Sequence, residues 1–140
     1  MSVAERARLR VGTLIGEDCV AHGTVCGMVV DDAVEKLEQE LRRGVVVLGV
    51  LSQLGTPRYG YELRQCLVDG GMPIEEGTLY PLLRRLEAQG LLTSEWRTTN
   101  GPPRRYYALG PNGRRVLDRL TGSWREMTKV LDQLLEGDQR

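Results

Sequence analysis

The clearest hydrophobic pattern in the chain is a group of four leucines spaced three and four residues apart. They lie as on the buried face of an amphipathic helix: Leu79, Leu82, Leu83 and Leu86. Pro81 fits the first turn of a helix, where its missing N–H removes no hydrogen bond. The pattern therefore predicts a helix that starts near Thr78, with Gly77 or Glu76 close to its N-cap. Gly90 follows the last apolar turn and predicts its end.

Two segments of alternating apolar and polar residues follow this helix. They cover residues 91–97 and 105–109, and the sequence TTNGPPR between them is rich in residues that form turns. We therefore expect two paired strands joined by a loop, a β-hairpin of the type called a wing.

Two further helices are predicted upstream. The first runs from about residue 32 to residue 54, with Asp31 or Asp32 as its N-cap. Its apolar line is Val34, Leu37, Leu41, Val45, Leu48 and Leu51. The second covers about residues 60–68 and ends at the sequence DGG. Residues 1–29 lack sustained periodicity, so we expect a weakly structured extension there, with Met28 as a more natural start of the protein.

The last predicted helix, about residues 111–135, carries a second apolar pattern. Its members alternate spacings of three and four: Leu117, Leu120, Trp124, Met127, Leu131 and Leu134. A 3.5-residue repeat of this kind requires a helical partner, and the rest of so small a chain cannot cover all of it. The pattern predicts that this helix pairs across a two-fold axis with its copy and with the N-terminal helix, in a homodimer.

Several motifs occur in the order and spacing of one protein family. They are GVVVLGVLSQLG at 44–55, YGYEL at 59–63, GTLYPLLRRLEAQGLL at 77–92, SEW at 94–96, GPPRRYYALGPNG at 101–113 and the C-terminal helix with Trp124. Over roughly residues 31–136 the chain resembles the PadR family of bacterial transcriptional regulators. The resemblance implies an α+β, mostly helical fold, with a winged helix-turn-helix domain at 31–109 and a long dimerisation helix at 110–136. It also implies a dimer that represses a promoter and releases it when a small molecule binds.

In a helix-turn-helix the second helix enters the major groove of DNA. The exposed face of that helix and the hairpin supply the candidate DNA-binding residues: Thr78, Tyr80, Pro81, Arg84, Arg85, Arg104 and Arg105. Some have plainer interpretations. Arg84 and Arg85 also suit a solvated helix face, and Tyr80 suits the edge of the core. Arg105 alternates with Tyr106 and suits the exposed face of its strand, which makes Arg104 the better wing contact.

The resemblance also implies a small-molecule site. In short PadR-like regulators that sense drugs, a tryptophan at the place of Trp124 lines a cavity at the dimer centre and stacks flat, apolar or aromatic effectors. Met127, one turn later, would supply an adaptable wall, and Trp96 is a candidate for a second wall. The alternative is that Trp124 is an ordinary core tryptophan.

Charge does not by itself point to nucleic acid. Nineteen basic and nineteen acidic residues cancel, and residues 56–108 contain seven arginines against six acidic residues, a net charge of +1. Attraction to double-stranded DNA with an inverted-repeat operator must therefore come from local patches, and should be weak without a dimer. The near-neutral charge favours an alternative, a winged-helix protein-interaction module without DNA binding. The two differ in whether Arg84, Arg85 and Arg104 form one continuous positive surface.

Other classes of function have little support in the sequence. No window of eighteen apolar residues predicts a membrane span, so we expect a cytoplasmic protein. The only histidine is His22, and no phosphate loop or nucleophile motif occurs, so we expect neither an enzyme nor a cofactor. The three cysteines, an odd number, indicate reduced thiols. Cys19, His22 and Cys26 have a spacing that suits a soft metal, but a chance grouping is the favoured interpretation and no metal site is predicted.

Overall fold

The computed structural model of the chain describes the backbone of residues 24–137 and the side chains of residues 29–137. Its elements, in chain order, are α1 (Thr24–Gln53), β1 (Arg58–Tyr59), α2 (Gly60–Asp69), α3 (Glu76–Ala88), β2 (Leu92–Arg97), β3 (Arg104–Leu109) and α4 (Pro111–Gly137). The predicted α+β, mostly helical winged helix-turn-helix is confirmed. Helices α2 and α3 form its helix pair, and β2 and β3 form the wing.

Helix α1 begins earlier than the sequence predicts. The expected start is near Asp32, but the chain is already helical at Thr24. Asp31 and Asp32 are therefore exposed positions inside the helix rather than N-caps, and Asp32 pairs with Lys36 one turn later at 2.9 Å. The physical reason is that a single glycine such as Gly27 lowers helix stability by about 1 kcal/mol without ending the helix.

The chain divides into two compact units within α1, between Arg42 and Arg43. In the second unit, the end of α1, α2, α3 and the sheet enclose a leucine-rich core, whose fully buried members are Val50, Leu51, Leu54, Leu63, Leu79 and Leu83. All four leucines of the predicted stripe in α3 are buried, so this prediction is confirmed. Burial of one such side chain contributes about 1.5–3 kcal/mol, so this core fixes which face of α3 remains outside.

Helix α3 starts slightly before its predicted position. Its N-cap is Glu75, whose carbonyl accepts the amide hydrogens of Thr78 (3.0 Å) and Leu79 (2.9 Å), and no side chain caps it. Pro81 therefore lies in the second turn rather than the first, where it leaves the Gly77 carbonyl without an intrahelical donor. Gly77 is exposed, so solvent can satisfy that carbonyl.

The end of α3 agrees with the prediction. Gly90 has a φ of 78°, in the left-handed region that glycine adopts without strain. The Leu91 amide donates to the Leu86 carbonyl (3.0 Å) and the Gly90 amide donates to the Glu87 carbonyl (2.9 Å). This pair of hydrogen bonds is the Schellman motif, and it turns the chain directly from α3 into β2.

The sheet has three antiparallel strands in the order β1-β3-β2. In the wing, the register runs from Leu92 opposite Leu109 to Arg97 opposite Arg104, so Arg104 belongs to the strand and not to the connecting loop. Strand β1 is only two residues long, too short to show an alternating pattern, and the sequence alone does not predict it. It places Tyr59 opposite Tyr106 of β3.

Helix α4 is seated directly on the start of the wing. The Gly110 amide donates to the Leu91 carbonyl (3.0 Å), and the Gly110 carbonyl accepts the first amide hydrogen bond of α4, from Arg114 (3.0 Å). At Gly113 an added Cβ would lie 2.1 Å from the same Leu91 oxygen. Since a backbone oxygen cannot swing aside as a flexible side chain can, this close approach requires glycine.

Candidate nucleic-acid interface

Tyr80 is held in a fixed place on the N-terminal half of α3. Its side chain is half-buried and packs against the core. Its ring lies so close to Gly60, the first residue of α2, that an added Cβ at Gly60 would be 2.4 Å from the ring atom Cε1. Tyr80 therefore lies at the edge of the core and still leaves part of its ring at the surface.

The other candidate residues on α3 are exposed. Thr78, Pro81, Arg84 and Arg85 all present their side chains to solvent. Among the side chains that the structure describes, neither Arg84 nor Arg85 forms an ion pair. Both guanidinium groups are therefore available to an anion from outside the chain, such as a phosphate.

Arg97 and Arg104 lie opposite one another on the two strands of the wing. The guanidinium carbon of Arg97 is 4.5 Å from the ring centre of Tyr106, and that of Arg104 is 4.5 Å from the ring centre of Tyr59. These cation–π contacts hold both side chains against the sheet. Arg97 is also paired with Glu95, whereas Arg104 has no ion pair within residues 29–137. Arg104 is thus the one of the two whose charge is not compensated.

Arg105 has a different role from its neighbour. It donates hydrogen bonds to Ser94 Oγ at 2.9 Å and to Glu87 Oε1 at 2.8 Å, and the second of these is an ion pair. Ser94 is on β2 and Glu87 is on the last turn of α3, so the half-buried Arg105 side chain ties the wing to α3. The second carboxylate oxygen of Glu87, Oε2, is buried without a hydrogen-bond partner.

A cleft of about 330 Å³ lies between α3, the start of α2 and the wing. We call it the α3–wing cleft, and its lining residues are Tyr59, Gly60, Tyr80, Arg84, Trp96, Arg104, Arg105 and Tyr107. It therefore brings together four of the seven candidate DNA-binding residues. Thr78, Pro81 and Arg85 are not part of its lining. Sequence reasoning passed over Tyr59 and Gly60 as site residues, although both belong to the YGYEL motif.

Trp96 lies at this cleft, with 65% of its surface exposed. The two other candidate effector residues, Trp124 and Met127, are on α4 and do not line the cleft. Trp124 is 42% exposed, so within the described chain it is not an ordinary core tryptophan.

Two helices carry apolar side chains that the described chain leaves exposed. On α4 they include five members of the predicted seam, Leu120, Trp124, Met127, Leu131 and Leu134, and also Val130 and Leu135, which lie outside it. Leu117, the first member, is half-buried and packs against the core of its own chain. On α1 the exposed members are Val34, Leu37 and Leu41. Exposed apolar stripes of this kind are typical of surfaces that contact a partner.

Two other predictions concern membranes and metals. Within residues 24–137 no helix is long and apolar enough to cross a membrane. The same part of the chain holds no group of three side chains suited to bind a metal ion. Cys19 and His22 lie outside the described residues, as does the side chain of Cys26, and so does most of the predicted N-terminal extension.

Comparison with known proteins places this chain and its fold in one family. The model of the transcriptional regulator PadR-like family matches residues 47–119. Transcriptional regulator Rv3488 of Mycobacterium tuberculosis is 38% identical over 100 residues, which cover 71% of this chain and 91% of that protein. The crystal structure of a PadR family transcriptional regulator from Eggerthella lenta has a TM-score of 0.71 at 50% identity, covering 78% of this chain and 97% of that one. A PadR family transcription regulator from Clostridium difficile has a TM-score of 0.61 at 30% identity, covering 64% of this chain and 97% of that one. The chain therefore belongs to the PadR-like family of transcriptional regulators.

Proposed function

We propose that the protein is a repressor that binds an inverted repeat in promoter DNA as a homodimer. The family supports a DNA-binding regulator, a class that is not enzymatic in general and that acts on the chromosome, in the cytoplasm. The observation that carries the proposal is that Arg84 of α3 and Arg104 of the wing line the same cleft. A small dimer bound across a promoter represses by occupying the DNA that the polymerase needs.

The geometry of the domain suggests how it would meet DNA. Helix α3 would enter the major groove with its exposed face, while the wing would contact the neighbouring backbone through Arg104. Arg105, already bound to Glu87, would hold the wing at its angle to α3. Because the net charge of residues 56–108 is only +1, one domain should bind weakly, and two linked domains are needed for useful affinity.

The exposed apolar side chains on α1 and α4 support the dimer. A second copy is the partner that the heptad-like spacing of α4 favours, because each seam would then cover the other in an isologous contact. Such a pairing would also set the distance between the two α3 helices at about one turn of DNA, the separation that palindromic half-sites require.

Binding of the wild-type chain to DNA upstream of its own gene tests the proposal. We expect saturable binding of a duplex with an inverted repeat, and an affinity that falls steeply between low and moderate salt. Scrambling one half-site should weaken binding strongly, since only one domain of the dimer then finds its sequence. An absence of binding at low salt would contradict the proposal and support the alternative, a protein-interaction module.

We further propose that a flat apolar effector binds between the two copies of Trp124 and releases the DNA. Trp124 is exposed on the α4 seam and is followed after one turn by Met127, so the dimer centre offers a stacking surface and an adaptable wall. Release requires that the effector prefers a dimer geometry that no longer matches the groove spacing.

Tryptophan fluorescence tests this effector site, because the chain has only two tryptophans. A panel of uncharged multi-ring dyes should quench the fluorescence of Trp96→Ala, which retains Trp124, and should not quench that of Trp124→Ala. If quenching follows Trp96, or if no dye quenches either variant, the effector site at Trp124 is wrong.

A further inference from the structure

Two glutamates begin helix α3 and leave a negative charge at its end. Glu75 is the N-cap and Glu76 is the first residue of the helix, and both are exposed. The Glu75 side chain forms no capping hydrogen bond, and neither carboxylate forms an ion pair with a described side chain. The positive end of the helix dipole, equivalent to about half an elementary charge, offsets only part of two negative charges. The N-terminal end of α3 is therefore negative.

This negative end restricts how α3 can meet DNA. In a helix-turn-helix, the N-terminal residues of the second helix approach the base edges. A helix N-terminus can also bind a phosphate, but here two carboxylates would repel it. The phosphate contacts are left to Arg104 of the wing and to Arg84, which lies about 12 Å along the helix from Glu76. The first turn of α3 must therefore face base edges and not the DNA backbone.

Of the two glutamates, Glu76 lies on the side of α3 that would face the DNA. It is in the same row along the helix as Tyr80 and Arg84, at spacings of four residues, and both of these line the α3–wing cleft. Long helical side chains lean towards the N-terminus, so Glu76 extends this row beyond the first turn. Glu75 instead lies four residues before the buried Leu79, in a row that faces the core.

The chemistry of a carboxylate selects among the base edges of the major groove. An ionised carboxylate accepts hydrogen bonds and donates none. Guanine offers only acceptors there, and thymine offers an acceptor and a methyl group. The N6 amine of adenine is a donor, but the N7 acceptor beside it repels a carboxylate. The N4 amine of cytosine has no acceptor next to it in the groove, so cytosine is the base that fits a glutamate.

We propose that Glu76 determines sequence specificity by accepting a hydrogen bond from the N4 amine of a cytosine in each half-site. This inference rests on the proposed function, because it requires α3 in the major groove, and it names one base pair of the operator. Against guanine or thymine the carboxylate would lose its water without gaining a donor, which costs free energy. Glu76 therefore acts mainly by rejecting other sequences.

Selection of binding sites from a library of random DNA duplexes tests this role. The full-length wild type and Glu76→Gln are compared, because glutamine pairs with the N6 amine and N7 of adenine where glutamate pairs with cytosine. The wild type should enrich an inverted repeat with a C·G pair at one fixed place in each half-site. Glu76→Gln should enrich an A·T pair at that place and leave the other positions of the half-site unchanged.

Anisotropy titrations with two duplexes that differ only at this pair measure the preference. The wild type should bind the cytosine duplex about tenfold more tightly than the adenine duplex, and Glu76→Gln should reverse the preference by a similar factor. Glu75→Gln is the matched control and should keep the preference for cytosine. Both variants lose one negative charge from the same end of α3, so a general gain in DNA affinity is common to both, and only the switch of base is specific to Glu76.

The outcomes separate this inference from the proposed function. If Glu76→Gln enriches the same half-site as the wild type, or if Glu75→Gln switches the base instead, the role of Glu76 is overturned while the proposed function stands. If the wild type enriches no inverted repeat, the proposed function is wrong and the role of Glu76 fails with it.

Discussion

Replacing Leu131 by aspartate is expected to abolish the proposed dimer and leave monomers or aggregates. Leu131 lies within the exposed seam of α4 and is half exposed in the single chain. In the proposed dimer, the new carboxylate would be enclosed by apolar side chains without a partner, at a cost of several kcal/mol. Sedimentation velocity at micromolar concentration measures the result. Leu120→Asp should behave in the same way.

The matched control for this prediction is Gln133→Asp. Gln133 is two residues from Leu131, is exposed and lies off the apolar seam, so it receives the same aspartate without burying it. We expect this variant to remain a dimer. If the wild-type chain sediments as a monomer at micromolar concentration, the proposal that the α4 seam forms a dimer is wrong.

Replacing Arg84 and Arg104 together by glutamine is expected to remove most of the affinity for DNA. Each guanidinium that binds a phosphate releases about one counterion, so each substitution should reduce the slope of log affinity against log salt by about one. Gel-shift or anisotropy titrations over a range of salt concentrations give both quantities. Unchanged affinity of the double variant at moderate salt would refute the assignment of the interface.

Arg105→Gln provides the contrast within the same strand. The guanidinium of Arg105 is already bound to Glu87 and Ser94, so we expect its loss to lower affinity by releasing the wing from α3. The salt slope should then stay close to that of the wild type. A slope reduced by about one for Arg105→Gln would instead make Arg105 a phosphate contact.

The parts of the fold that are local in sequence could be predicted from it. The four leucines of α3 and Gly90 at its end follow from helical periodicity and from the left-handed turn that only glycine adopts freely. The start of α3 is less certain from sequence, because the backbone of Glu75 caps it and no side chain marks the position. Strand β1 has only two residues, which are too few to show an alternating pattern of apolar and polar residues.

The contacts that shape the candidate site are long-range, and this is why the sequence could not show them. Arg105 meets Glu87 across 18 residues, and only the register of the wing decides which arginine turns towards α3. Tyr80 meets Gly60 through the packing of α3 on α2, which depends on the whole core. The sequence could supply the candidate arginines but not which of them would be neutralised.

The seating of α4 at Gly113 has a mechanical consequence for regulation. The Leu91 carbonyl that Gly113 approaches also accepts the Gly110 amide, and the Leu91 amide is bound to the end of α3. The first turn of α4 therefore cannot slide or tilt against α3 without breaking these contacts. In the proposed dimer, each α4 and the DNA-binding domain to which it is fixed would then move as one rigid body. A rotation of a few degrees between the two α4 helices would displace each domain by a distance that grows with its separation from the point where the helices cross. A small effector at the dimer centre could therefore move both α3 helices away from their half-sites.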